Sequence, residues 1–397
     1  MYLLHITESE DGSLPDIQLR LHVDDIPQYA ILSHRWGRPE DEPTFQDLMH
    51  QTASGKQKKG YQKILSFCSQ VLEYGLTWAW ADTCCIDKSS SAELSEAINS
   101  MYAWYEASRI CFAYMEDVPP GDDPSRQDSF FRKSVWFKRG WTLQELIAPN
   151  EVMFLDTSWN KISFGSKSGL SEAIFQVTGI PQDILINKAK LDSASVAQKM
   201  SWAATRQTTR IEDEAYSLMG IFGVNMPTVY GEGKKAFRRL QEEIMKYSPD
   251  HTIFAWKAEE DDMIDGMLAT SPRLFRFCGQ FRDLKYAEFV ERFSMSDAHL
   301  EPYYFTTNYG LQIQLPIVSM SPHFEGYHYA YLAAVHAESR ALAVIFLRQR
   351  TDRPPGHFYR ARFDGQTLIH HLEDSIHADT ICNVLYKSYL KAKEHRI

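Results

Sequence analysis

A chain of 397 residues with 44% hydrophobic and 13% aromatic content carries enough apolar material for two or three packed domains. Lys and Arg total 42 against 52 Asp and Glu, a net charge of −10. That balance excludes a protein living mainly on nucleic-acid backbones, which needs a basic footprint, but leaves room for a local donor cluster on a small anion. In chain order, "YAILSHRWG" (29–37) reads as a buried strand ending in a polar turn. "KKGYQKILSFCSQVLEYG" (58–75) has helical periodicity through Ile64, Phe67, Cys68, Val71 and Leu72 and stops at Gly75. "LTWAWADTCCI" (76–86) reads as a strand with alternating bulk. "SSSAELSEAINSMYAWYEAS" (89–108) begins with serine caps and places Leu94, Ile98, Met101 and Tyr105 on one face. "RICFAYM" (109–115) is a third strand, "EDVPPGDDPSRQDS" a loop, and "EVMFLD" (151–156) a fourth strand.

Between that loop and the fourth strand lies "KRGWTLQELIAP" (138–149), a short helical segment. At about 100° per residue, Leu143, Leu146 and Ile147 share a narrow face, while Trp141 and Glu145 fall together nearly opposite. The pair either packs under a neighbouring element or lines a site. Strands separated by helices imply a parallel sheet flanked by helices, and such sheets bind ligands beyond the carboxyl ends of their strands.

From about 165 to 250 the pattern is helical. "VAQKMSWAATRQTTRIEDEAYSLMGIF" and "GEGKKAFRRLQEEIMKYS" read as amphipathic helices joined by "GVNMPTVYGEG". After 250, "HTIFAW", "YYFTTNYGLQIQLPIV", "YHYAYLAAVH", "RALAVIFLRQ" and "HFYRARFDG" are β-rich runs separated by turn chemistry. The expected division is 1–165 α/β core, 166–250 helical extension and 251–397 β-rich C-terminal domain, without internal repeats.

The six cysteines (Cys68, Cys84, Cys85, Cys111, Cys278, Cys382) form no C-x-x-C pair, and the 14 histidines show no ligand spacing, so no metal is assigned. "MYLLHITESEDG" lacks the basic and apolar regions of a signal peptide, and "YAYLAAVH" is too short to span a bilayer. A reducing, cytoplasmic compartment is the expectation. Cys84-Cys85 with His34 raises a Cys–His nucleophile, although cysteines inside a strand pattern read better as buried thiols. "YGEGKKAF" lacks P-loop spacing; Gly231 and Gly233 instead open a helix with Lys234, Lys235, Arg238 and Arg239 exposed. Glu93 and Glu96 read as a solvated helix face. In "TTRIEDEAY", Glu212 and Asp213 point to different faces, and Arg210 is expected buried against an acid.

"ILSHRWG", "KGYQKI", "WADTCCIDKSSSAELSEAINSMYAWY", "RGWTLQELIAP" and "TTRIEDEAYSLMGIFGVNMPTVYGEGKKAFRRLQEEI", in that order over residues 1–250, resemble the fungal HET (heterokaryon incompatibility) domain and its C-terminal extension. Residues 260–397 carry no such resemblance. HET-domain proteins trigger or regulate cell death after non-self recognition. The order of elements is also similar, more distantly, to TIR domains, which implies a TIR-like (flavodoxin-like) sheet. There Ser33-His34-Arg35 approximates the Ser-aromatic-Arg end of the first strand and Asp82 the acid ending the second. Trp141 and Glu145 match the Trp and catalytic Glu four apart on a helix. The chain reads Ser-His-Arg-Trp-Gly where the HET pattern is Ser-His-Thr-Trp-Gly. It reads Ser134-Val135-Trp136 where the family often has Ser-Arg-Trp, which leaves Arg139 or Arg132 to supply that arginine.

TIR-type enzymes cleave the nicotinamide–ribose bond of NAD. The resemblance therefore implies NAD as substrate rather than cofactor, with Glu145 as the catalytic carboxylate and Trp141 as a stacking wall. Arg35 would sit on the pyrophosphate, with Ser33, His34, Trp36, Gly37, Trp136 and Arg139 shaping the mouth. Asp82, Asp87 and Lys88 would lie at a mobile loop. Cationic nicotinamide leaves without a general acid, so one carboxylate near the developing positive ribose suffices. Homo-oligomerisation would be the switch, and the C-terminal domain would bind a partner protein or regulate. Two other readings stay open: a non-enzymatic signalling module of the same fold, and Arg35–Asp82 as a structural ion pair.

Overall fold

The computed structural model describes residues 1–8, 14–258, 266–293, 304–307, 310–320, 325–351, 356–361, 369–370 and 380–386. They fall into two compact units: 1–191 with 206–229, and 192–205 with the chain from 230 onward. The stretch 166–250 is divided between them.

The first unit is built on a seven-stranded sheet. Its strands are β1 (Tyr2–Thr7), β2 (Asp16–Leu21), β3 (Ala30–His34), β4 (Trp78–Trp80), β5 (Ile110–Tyr114), β6 (Val152–Leu155) and β7 (Lys161–Ser166), in the spatial order β2-β1-β4-β3-β5-β6-β7. The central four, β4-β3-β5-β6, are parallel, and antiparallel strands close both edges. Every residue of β3 is buried, as expected of a strand covered on both faces. The helix Lys59–Glu73 buries Ile64, Leu65, Phe67, Cys68 and Val71. The helix Ser91–Ala107 buries Ala97, Ile98, Met101 and Tyr105, and the Ser90 hydroxyl caps it by accepting from the Glu93 amide. Strand order reverses between β3 and β5, which puts the crevice of this sheet just beyond His34 and Tyr114.

Three expectations are corrected. The strand proposed over 76–86 is only Trp78–Trp80, because the Ala81 carbonyl accepts from the amides of Cys84 (3.2 Å) and Cys85 (2.9 Å) and turns the chain. The long helix through "VAQKMSWAATRQTTRIEDEAYSLMGIF" is broken into Val196–Ala203 and Asp213–Tyr216. Between them Gln207 bonds as an isolated parallel bridge to Arg139, so its backbone is taken out of helical bonding. "HTIFAW" forms a short 3-10 turn, His251–Phe254, rather than a strand: the Asp250 carboxylate accepts from the Thr252 amide at 2.7 Å and starts the turn.

The second unit is mainly antiparallel β. Its strands are β8 (Phe281–Asp283), β9 (Tyr304–Thr307), β10 (Gly310–Ser319), β11 (Tyr327–His336), β12 (Leu342–Gln349), β13 (Phe358–Arg360), β14 (Ile369–His370) and β15 (Thr380–Tyr386). The path runs β13-β12-β11-β10-β15, with β8 on β11, β9 on β10 and β14 on β12. Phe289, Phe293, Tyr331, Val335, Leu342 and Val344 form part of its core. The amphipathic helix Lys235–Tyr247 belongs to this unit and buries Ala236, Phe237, Leu240, Gln241 and Ile244. The end of "HFYRARFDG" and the side chain of Cys382 lie outside the described residues.

Candidate active site

The end of β3 organises the site because alternate residues of a strand face opposite sides. Ser33 points to one face, where its hydroxyl donates to the Glu145 carboxylate and accepts from Trp136 Nε1 at 2.9 Å. Glu145 sits in the helix Thr142–Ile147, every residue of which is buried. Burial, and then the charge of Asp82, push the Glu145 carboxyl up to about 7; the Ser33 hydrogen bond and the charges of Arg139 and Arg206 act against that rise. Trp141 heads the helix and is half-buried. The indole joined to Glu145 through Ser33 is therefore that of Trp136, ahead of the segment "WTLQE" in the chain, and not that of Trp141.

His34 points to the other face. Its Nε2 donates to Asp82 Oδ1 at 3.2 Å, and Asp82 also accepts from Trp36 Nε1 at 3.0 and 2.9 Å to its two oxygens. Burial pushes Asp82 upward, but the hydrogen bond and charge of His34, with Lys88 and Trp36, hold it below the ordinary value. Burial, and then the charge of Lys63, lower His34 from its ordinary value against the opposing hydrogen bond and charge of Asp82. Lys88 donates to the carbonyls of Asp82 (2.8 Å) and Thr83 (2.9 Å) and lies 4.2 Å from the centre of the exposed Trp36 ring.

Arg35 leaves the strand end towards solvent and pairs with Glu116 at 3.1 Å, two residues beyond β5. An Arg35–Asp82 ion pair is not what forms. Gly37 donates its amide to Glu42 at 2.6 Å, and Lys63 reaches both Glu42 (2.6 Å) and the Arg35 carbonyl (3.2 Å), so the turn after β3 is held from beneath. Asp87 serves local structure: it accepts from the Ser89 amide and hydroxyl, while its own amide donates to Glu93. Arg132 is occupied elsewhere, donating to the Pro124 carbonyl and Gln176.

Residues 29–125 match the family model of the Heterokaryon incompatibility protein (HET) domain. This segment of the chain is HET-like. Residues 235–265 and 259–359 match a family described as a Domain of unknown function (DUF8212). The chain is also 48% identical over 227 residues to the Vegetative incompatibility protein HET-E-1 of Podospora anserina, a match spanning 56% of this chain and 16% of that protein. No solved structure matches.

The HET match takes in β3, β4 and β5, hence Ser33, His34, Arg35, Trp36, Gly37, Asp82, Asp87 and Lys88, and it stops before Trp136, Arg139, Trp141 and Glu145. The fold brings Trp136 and Glu145 back onto the HET strand end through Ser33. Sequence reasoning passed over Arg206, which donates to the Arg139 carbonyl and to Thr142 Oγ1, both at 2.9 Å. Its charge acts on Glu145, and burial lowers its own pKa to about 9. The signal available was the cationic run "ATRQTTR", where Arg210, named instead, is exposed. Glu42 and Lys63 were also missed; their types and spacing mark no motif. The cysteine alternative loses support: Cys84 and Cys85 are buried, and burial pushes the Cys85 thiol well up, away from the thiolate. Among the described residues, no group of three or more His, Cys, Asp or Glu is placed to hold a metal, and no helix is long and apolar enough to cross a membrane.

Proposed function

We propose that this chain acts in fungal heterokaryon incompatibility, the cell-death response to non-self, and that its HET domain is a TIR-like NAD glycohydrolase switched on by self-assembly. The observation that carries the reading is one buried carboxylate, Glu145, anchored by Ser33 at the strand-order reversal, with Arg35 on the turn beside it. The likeness to a vegetative incompatibility protein supports the cell-death part.

The chemistry follows from those groups. The bond from the ribose anomeric carbon to the pyridinium nitrogen breaks heterolytically, its electrons neutralise the nicotinamide, and positive charge develops on the ribose. Glu145, ionised, stabilises that charge; water then adds to the anomeric carbon and releases a proton, giving ADP-ribose. Arg35 exchanges Glu116 for the pyrophosphate, since a guanidinium pairs well with phosphate oxygens. Trp36 and Trp141 wall the mouth, and the antiparallel second unit recognises a partner protein or restrains assembly. The cytoplasm, where NAD is abundant, is the setting.

A second reading, a non-enzymatic module that recruits partners, draws on Glu145 being only 4% exposed and so able to serve packing alone. Nicotinamide release from NAD, measured over a wide range of protein concentration beside Glu145→Gln, separates the two. The hydrolase reading expects release that rises more steeply than concentration and falls by about a hundredfold or more in the variant. No release at any concentration, with cell killing intact in both proteins, would leave the recruiting module.

A further inference from the structure

Tyr114, the last residue of β5, stacks on Trp159 in the turn between β6 and β7, with ring centres 4.3 Å apart and planes inclined by 15°. Both rings are half-buried, so the pair keeps aromatic surface open to solvent. Trp159 adopts φ of 64°, the left-handed region that hairpin turns ordinarily give to Gly or Asn. The turn is held there by Asp156, whose carboxylate accepts from the amides of Ser158 (2.8 Å) and Asn160 (3.0 Å). A bulky indole kept in a disfavoured backbone region, beside the strand-order reversal, needs a reason in its side chain.

Position supplies one. Tyr114 is the register partner of His34, one strand spacing away, about 4.8 Å. Arg35 follows His34 directly and pairs with Glu116, two residues past Tyr114. A ligand whose phosphates meet Arg35 therefore has an aromatic face on one side, while Ser33 and Glu145 lie on the opposite face of the same strand end. The carboxylates of Glu116 and Asp156 act electrostatically on Tyr114, so the platform has an acidic border suited to an amino group and not to a phosphate.

We infer that the Tyr114–Trp159 stack is the purine subsite of the HET domain, holding the adenine of an adenine nucleotide by π-stacking while Arg35 takes its phosphate. The inference rests on the nucleotide reading of the same crevice, but it requires binding and not bond cleavage. Base–aromatic stacking is favourable for any base, so the acidic border supplies the preference for a purine carrying an exocyclic amine.

Calorimetric titration of the full chain with AMP, and with ribose 5-phosphate as the baseless control, tests it. AMP should bind wild type roughly tenfold or more tighter than ribose 5-phosphate. Trp159→Gly removes the ring and suits the left-handed backbone, so it should stay folded and lose about tenfold in AMP affinity. Trp159→Phe should restore most of the affinity, and Tyr114→Leu should weaken it independently. AMP affinity unchanged in Trp159→Gly, no advantage over ribose 5-phosphate, or no AMP binding up to millimolar concentration would each overturn the subsite. AMP binding lost in Trp159→Gly, together with no nicotinamide release from NAD by wild type, would retain the subsite and remove the hydrolase.

Discussion

Glu145 is held in a place that disfavours its charged form. Its carboxyl is raised from the ordinary value of 4.5 to about 7 by burial and Asp82, so the folded state binds a proton more tightly than the unfolded chain between those limits. Stability drawn from this group is therefore complete below about pH 4.5 and lost as pH rises through 7. Above pH 7 the ionised Glu145 costs up to roughly 3 kcal/mol, from 1.36 kcal/mol per unit. Glu145→Gln, which keeps a partner for the Ser33 hydroxyl, should raise the melting temperature at pH 8 and leave it unchanged near pH 4; equal melting curves at pH 8 would refute the buried-charge cost. By the same titration, kcat/KM for NAD cleavage should climb through pH 7 as the carboxylate forms, with an apparent pKa near 7. A rate falling over that range would mean that the acid form of some group does the work.

The turn after β3 and the start of the helix Lys59–Glu73 act as one element. Glu42 links them, accepting from Gly37 and pairing with Lys63, and the two charged side chains are only 8% and 14% exposed. Gly60 allows this approach: a Cβ there would lie 2.3 Å from Glu42 Oε2 and 2.9 Å from the Asp41 carbonyl and the Pro43 ring. The glycine of "KGYQKI" is thus a matter of space. Gly60→Ala should destabilise the protein by about 2 kcal/mol through overpacking, read as a lower urea midpoint at unchanged slope. Gly140 in "KRGWT" has a similar cause, since a Cβ would meet the Thr208 methyl at 2.5 Å where Gln207 bonds the strand-like Lys138–Gly140 segment. Both motifs were legible as patterns, but their reasons were not, because the crowding atoms come from other segments.

Among the described side chains, five cysteines (Cys68, Cys84, Cys85, Cys111 and Cys278) are buried and unbridged. Thiol titration with Ellman's reagent should find those five protected in the native protein and all reactive in guanidinium chloride. Rapid native reaction of two adjacent thiols would revive a nucleophilic role for Cys84 and Cys85. The division into two units also has a chemical side. The first unit places Ser33, His34 and Asp82 at the carboxyl ends of its parallel strands, where sheets of this kind bind ligands. The second spreads β strands around an apolar core.

Local periodicity and punctuation were enough to determine the strands β3, β5 and β6 and the helices over 59–73 and 91–107, because those features repeat within a few residues, while Ser33 and Glu145 became candidates through the family resemblance. The composition also argued against a protein living mainly on nucleic-acid backbones, since net charge is a sum over the chain. Only the tertiary structure decided that Trp136 rather than Trp141 is linked to Glu145, that Arg35 meets Glu116, and that Arg206 bears on the carboxylate. It also decided that the β4 strand ends at Trp80 and that the helix after Ala203 is broken at Gln207. Apart from the end of β4, set by the local turn at Ala81, each of these depends on a partner tens of residues away, and spacing along one segment carries no information about which distant atoms will fill its hydrogen bonds.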